Sequence, residues 1–209
     1  MIDVVLPENR FAFANALLEM HHDRKRVFVD RLGWELPSRE SWLEVDEFDN
    51  EYAVYLIARA PGTGHHQGSV RLLPSTRPHV LASLFPSLCA DGVPISEECW
   101  EISRLVAPPA ARSGTAVLRV HRILALALLE FASLNQIKSY SLVTEPHRVP
   151  ALLSVGWDVR PLGLPTFCMG QNLQALQIVV HPDSLNLMRS RFGIEESVLR
   201  SMSPQLEAA

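Results

Sequence analysis

WEISRLV, residues 100–106, is the stretch on which the fold turns. Its apolar residues suit a buried strand, yet Glu101 and Arg104 sit among them. Successive side chains of a strand point to opposite faces. Regular pairing would put Trp100, Ile102 and Arg104 on one face and Glu101, Ser103 and Leu105 on the other. Two readings stay open from this stretch alone. The strand could lie at an edge, or reach a helix through ion pairs, with its charges guarding against aggregation. Alternatively, a bulge could re-aim the residues after it and bring Glu101 and Arg104 to one side.

The surrounding sequence supplies partners for such a strand. A strand over 2–6 is followed by a helix over 8–22, with Phe11, Ala14, Leu17 and Leu18 on one side. Residues 23–50 read as further helix to Val29 and then loop. Strands over 52–59 and 69–73 flank PGTGHHQG (61–68), whose glycines accept a positive φ and mark a hairpin turn. The strongest helix is 115–134, where Val117, Val120, Leu124, Leu128 and Phe131 recur at helical spacing. A strand over 139–144 comes next, then a helix that Pro146 opens and Gly156 closes. Late strands over 157–162 and 176–180 and a helix over 182–192 complete the pattern. No repeat is evident, and the Pro- and Ser-containing stretch 74–98 is the nearest thing to a linker. The expectation is one α/β domain, 1–209, a mixed sheet with helices on its faces.

Composition excludes several functions. The 209 residues are 47% hydrophobic, enough for a substantial core. Lysine and arginine number 19 against 23 acids, a net charge of −4, so no nucleic-acid partner is expected. Cys89, Cys99 and Cys168 form no CxxC pair, which argues against a disulfide framework or zinc site and for a reducing cytoplasm. ILALALL (123–129) is too short to span a bilayer, and MIDVVLPENR lacks a secretory pattern.

Other charged stretches have two readings each. EVDEFDN (44–50) places Asp46 and Asp49 three apart around Phe48. It could hold a cation, or be a solvated turn capped by its own side chains. RKR (24–26) reads by itself as a solvated helix face, and Trp34 as core or as a π face for a cation. His21–His22 and His65–His66 lack ligand spacing and read as surface residues, so no metal is expected. Ser113–Gly114 comes with neither a P-loop lysine motif nor GxGxxG.

Together these pieces do more than any one of them. Arg24, Phe28, Trp34, Asp46, Asp49, Arg71, Glu101 and Arg104 follow as R-x3-F-x5-W, D-x2-D, an arginine after the hairpin, and E-x-S-R. With VFVDRLGW, DEFDN and WEISRLV in this order, the chain resembles the LuxI-type acyl-homoserine-lactone synthases, the autoinducer synthases of bacterial quorum sensing. GW at 156–157 continues the match. PLGLP (161–165) resembles a rhizobial branch, some of whose members use acyl-CoA rather than acyl carrier protein.

The resemblance implies a three-layer fold similar to the GCN5-related N-acetyltransferases: a mixed twisted sheet with helices on both faces. In that fold two parallel strands splay to admit a pantetheine thioester, and the fourth strand is bulged. The implied reaction joins S-adenosylmethionine (SAM) to an acyl thioester. The methionyl amine attacks the acyl carbonyl, and the carboxylate then displaces methylthioadenosine from the γ-carbon, closing a lactone. SAM and acyl-CoA or acyl carrier protein would be substrates, with no cofactor.

Each step asks for particular groups. The ammonium must lose a proton at neutral pH, and Glu101 is the candidate base. A backbone N–H of the bulged strand would meet the thioester oxyanion. Asp46, Asp49, Arg71 and Arg104 complete the implied catalytic set, the aspartates acting directly or by ordering arginines. Arg24, Phe28, Trp34 and Ser103 are the implied SAM-binding set. Leu142, Thr144, Leu152 and Leu153 are expected around the acyl chain, and in the family a threonine on this strand goes with 3-oxo substrates. A carrier protein would need a basic patch, for which Lys138, Arg148 and Arg160 are scattered candidates. The rival is an acetyl-CoA-dependent N-acetyltransferase of the same fold. Its Q/R-x-x-G-x-G/A loop is met by ARSGTA (111–116) with Ala111 at the Q/R position, a departure that counts against it.

Overall fold

Alternating strands and amphipathic helices sort into three layers. The computed structural model describes residues 1–34, 42–107 and 114–200. Its strands are β1 (Ile2–Val5), β2 (Val54–Arg59), β3 (His66–Pro74), β4 (Cys99–Val106), β5 (Ser139–Thr144), β6 (Asp158–Pro161), β7 (Thr166–Cys168) and β8 (Gln171–Val179). Its helices are α1 (Ala14–Arg24), α2 (Val80–Leu84), α3 (Gly114–Leu134), α4 (Val149–Val155) and α5 (Ser184–Phe192). The sheet order is β1-β2-β3-β4-β5-β8-β6, with β7 paired to β8. Antiparallel pairing runs throughout except between β4 and β5, which are parallel.

One face of the sheet packs on α3 and α5 through Val4, Leu56, Leu72, Ile102, Leu126, Phe131 and Met188. The other packs on α1 through Val5, Tyr55, Ile57, Met20 and Phe48. Apolar burial on both faces, at about 25 cal/mol per Å², is what holds the layers together.

Two irregularities in β4 matter most. Arg71 of β3 lies opposite Ser103 of β4, yet Ser69 lies opposite Val106, so β4 carries one extra residue between them. Arg104 occupies that bulge with φ 52°. A non-glycine residue there is a strained conformer that its surroundings must hold. The parallel ladder with β5 also ends early. It joins Cys99 to Ser139, Trp100 to Tyr140 and Glu101 to Ser141, and goes no further.

Several elements differ from the sequence reading. Pro7 starts a 3-10 segment over Pro7–Phe13, so α1 begins only at Ala14. The helical register shifts as a result. Phe11 and Leu18 are exposed, while Ala16, Met20 and Arg24 turn inward. The chain then winds as a π-helix over Lys25–Arg31. The stretch 74–98 is no linker, since it contains α2 and a 3-10 turn with buried Leu81 and Leu88. Three late strands replace the two expected, because β7 forms a short hairpin with β8. Gly156 does close α4, at φ 107°.

Candidate active site

The bulge settles the parity problem of WEISRLV. Trp100 and Ile102 pack toward α3. Ser103 Oγ accepts a bond from Arg71 Nε at 3.0 Å, and Arg104 reaches the same side. Glu101, Ser103 and Arg104 thus line one cavity of about 1860 Å³.

Behind that wall lies a compact ion-pair network. Arg24, 0% exposed, ends α1 just where the π-helix begins. It grips Asp49 in a fork at 2.8 and 2.9 Å and donates to Glu44. Arg71 forks onto Asp46 at 2.5 and 3.0 Å and also meets Asp49 at 2.9 Å. Arg104 Nε donates to Glu44 at 3.0 Å, and its Nη2 to Asp46 at 2.7 Å. Tyr55 Oη donates to Asp49 at 2.8 Å. Three guanidiniums thus meet three carboxylates, so each buried charge is compensated. Removing one partner from such a network strands the other in a low-dielectric site.

The electrostatics follow the geometry. Burial opposes the charge on Asp49, but Arg24 and Arg71 outweigh it and hold this carboxyl below the usual carboxylate range. Burial likewise opposes the charge on Arg24, and Asp49 and Glu44 more than restore it. Arg104 is drawn below the ordinary arginine value by burial, with Arg71 and Arg24 nearby, despite Glu44 and Asp46.

Glu101 stands apart. It is buried and, among the described residues, enters no ion pair. Its two oxygens accept the backbone N–H groups of Val80 at 3.1 Å and Leu81 at 2.6 Å, the first turn of α2. Burial pushes its carboxyl up, against those N–H bonds and the charges of His79 and Arg71. A buried carboxyl poised upward and facing a cavity suits a general base near neutral pH.

Phe28 and Trp34 stack at 4.8 Å between centroids, with Arg104 over both rings at 5.6 and 6.0 Å. The cation on that π face is thus an arginine of the protein itself. Both rings line the cavity, with Asp46 and Asp49.

Several expectations need correction. Arg24 and Arg71 do not line the cavity. They sit behind the carboxylates and brace them, while Arg104 lines the cavity. Leu142, Thr144 and Leu152 line the cavity's far end with Leu128, Trp157 and Ile178. Leu153 does not. It is 52% exposed, on the outer side of α4. His66 is buried rather than on the surface, its ring bridging Asp23 at 2.8 Å and Ser69 at 3.0 Å. Residues 111–113 of ARSGTA lie outside the described residues.

Sequence reasoning missed Glu44, Tyr55 and the two α2 N–H groups. Glu44 had a signal, since it is an acid two residues before Asp46, and both meet Arg104. The N–H groups carry no side-chain signature at all.

Known proteins resemble this chain. Residues 9–188 match the family model described as autoinducer synthase. An isovaleryl-homoserine lactone synthase of Bradyrhizobium diazoefficiens is 30% identical over 212 residues, covering 100% of this chain and 92% of the relative. An acyl-homoserine-lactone synthase of Ralstonia solanacearum is 45% identical over 109 residues, so that match spans 50% of this chain and 53% of the relative. A solved CoA-dependent acyl-homoserine lactone synthase, with SAM and isopentyl-CoA, superposes with a TM-score of 0.88 at 28% identity, covering 99% of this chain and 95% of the other. An acyl-CoA N-acyltransferase from Pseudomonas aeruginosa shares the fold, with a TM-score of 0.53 at 16% identity over 85% of this chain and 97% of its own.

Proposed function

The chain belongs to the autoinducer synthase family, and from that premise we propose that it is an acyl-homoserine-lactone synthase making a quorum-sensing signal. It joins SAM to an acyl thioester and releases methylthioadenosine. The observation that carries this reading is the bulge at Arg104, which gathers Glu101, Ser103 and Arg104 on the cavity wall where β4 and β5 separate.

The residues divide the work. Glu101 removes a proton from the substrate ammonium, freeing the amine to attack the acyl carbonyl. The C–N bond forms, the C–S bond breaks, and a thiolate departs. A backbone N–H of β4, past the point where its ladder with β5 ends, meets the oxyanion. Arg104 holds the substrate carboxylate, its fork oriented by Glu44 and Asp46. So held, the carboxylate oxygen displaces the sulfonium from the γ-carbon intramolecularly. Phe28 and Trp34 wall the SAM site. Leu128, Leu142, Leu152, Trp157 and Ile178 give the acyl tail an apolar seat, and Thr144 beside them is the residue to test for 3-oxo preference.

The donor we assign is acyl-CoA. The three basic residues that the sequence offered for an acidic carrier are each paired: Lys138 with Glu98 at 2.5 Å, Arg148 with Glu145 at 2.9 Å and Arg160 with Asp158 at 3.2 Å. The superposed synthase described as CoA-dependent supports the same choice. No described helix is long and apolar enough to cross a membrane, and a cytoplasmic enzyme is the matching assignment.

The test is mass spectrometry of the protein incubated with SAM and a panel of acyl-CoAs and acyl carrier proteins. Methylthioadenosine and an acyl-homoserine lactone appear together, with acyl-CoA the better donor. Neither product, with acetylation of an amine from acetyl-CoA, would replace the synthase reading. A carrier-protein preference would overturn the donor assignment alone.

A further inference from the structure

Glu44 is buried, yet it lies outside every helix and strand described. One of its carboxylate oxygens takes Arg24 and the other takes Arg104. Arg104 carries the substrate carboxylate in the reaction proposed above, so its aim depends on where Glu44 is held. A site residue on irregular backbone keeps its geometry only if a rigid element fixes that backbone.

Here the rigid element is α1, and the residue is His21. The Glu44 N–H donates to the His21 carbonyl oxygen at 3.1 Å. The His21 Nδ1 lies 2.9 Å from the Glu44 carbonyl oxygen. A carbonyl oxygen only accepts, so Nδ1 carries the hydrogen. His21 thus holds both polar backbone groups of Glu44. Arg24, three residues on and on the same helix face, holds the Glu44 side chain. The His21 ring also meets the Tyr55 ring edge-on at 6.1 Å, and Tyr55 donates to Asp49. Burial, and then Arg24, draw the imidazole below the ordinary histidine value, against Asp49 and Glu44. At neutral pH the clamp therefore adds no charge beside Arg24. Of the adjacent histidine pair read from sequence as surface residues, only His22 is exposed. His21 does not line the cavity, so it bears on substrate only through Glu44 and Arg104.

We propose that His21 is a positioning residue for lactone closure: by clamping the Glu44 backbone it aims Arg104, and through Arg104 the substrate carboxylate. This rests on the synthase reading and on its assignment of Arg104. Acylation joins nitrogen to the acyl carbon and makes no use of the carboxylate. Lactonisation does. A carboxylate oxygen bonds to the γ-carbon as the C–S bond of the sulfonium breaks, and methylthioadenosine leaves with the electron pair. A loosened Glu44 therefore slows the second step more than the first, and N-acylated SAM accumulates.

The experiment begins with the wild-type assay, N-acylated SAM and lactone being quantified together by mass spectrometry. No product at all would count against the synthase reading and not against His21. Arg104→Lys then sets the scale. A ratio of N-acylated SAM to lactone that stays put there removes the carboxylate from Arg104, and the proposal with it. His21→Phe keeps a ring against Tyr55 and deletes the Nδ1–H, while the amide of His21→Asn still offers a donor to the Glu44 carbonyl. The ratio rises about tenfold or more in His21→Phe and returns toward the wild-type value in His21→Asn. A purely structural role would lower both products together. An unchanged ratio in His21→Phe, or an Asn variant no better than Phe, overturns the proposal. Histidine 15N shifts of the wild type give a reading that needs no variant to fold and no activity. An Nδ1–H tautomer on His21 at pH 8 supports the clamp, and an Nε2–H tautomer sinks it.

Discussion

The cavity has two kinds of wall, and they are built on different principles. The wall from the π-helix, the 42–50 segment and β4, braced from behind by α1 and β3, is held by directed bonds. Arg24, Arg71 and Arg104 each meet named oxygens of Glu44, Asp46 and Asp49. The wall from α3, β5, α4 and β8 is held by apolar contact among Leu128, Leu142, Leu152, Trp157 and Ile178. A guanidinium fork has few substitutes, whereas a leucine in a packed wall has several. Chemistry is expected to be brittle in the first wall, and specificity adjustable in the second.

Changing the base gives the largest expected effect and so the sharpest break of that contrast. Glu101→Gln keeps one acceptor oxygen for the first turn of α2, where Glu101 offers one to Val80 N–H and one to Leu81 N–H, and removes the base. We expect turnover to fall about 10²- to 10⁴-fold, with SAM affinity by calorimetry nearly unchanged. A variant with full turnover would leave Glu101 only its role at the start of α2. The wild type also carries a pH signature. Burial raises the Glu101 carboxyl, and the ionised form is the active one. The acid limb of kcat/KM should therefore lie above the ordinary glutamate value of about 4.3.

The next effect is on stability. Asp49→Asn strips the carboxylate that meets Arg24, Arg71 and Tyr55. Leaving Arg24 buried and half-paired costs about 3–5 kcal/mol. Asp49 is held below its ordinary value, so its contribution is present above pH about 4 and is lost as pH falls through the lowered folded-state value. Urea melts should show the gap between wild type and variant narrowing as the buffer is acidified below pH 4. A gap that stays constant would mean that Asp49 acts by shape and not by charge.

How legible each wall was follows from the same difference. Arg24, Asp46, Asp49, Arg71, Glu101 and Arg104 could be read in order because each is a rare residue type with a fixed job. Even the bulge was foreshadowed, since Glu101 and Arg104 could share a side only if β4 carried an extra residue. The division of labour among the arginines was not readable. It depends on depth, and Arg24 and Arg104 differ by which side of the carboxylates they occupy. The α2 N–H groups were illegible because backbone donors leave no trace in residue identity. On the apolar wall β7 was missed, because three residues with little alternation give no strand signal.

The smallest effect tests the second wall with two neighbours. Leu152 lines the cavity and packs on the main core, while Leu153, one residue on, is exposed. On a helix, adjacent residues point about 100° apart, so α4 cannot present both to the acyl chain. Leu152→Ala should redistribute the acyl-CoA preference toward longer or bulkier chains in a competition assay, because the space it vacates opens onto the cavity. Its stability loss should stay below the 2–5 kcal/mol of a sealed core site. Leu153→Ala should leave the preference unchanged and shift stability by no more than about 0.5 kcal/mol. If Leu153→Ala moved the preference instead, α4 would have to rotate when the thioester binds. The apolar wall would then be a mobile element rather than a fixed seat.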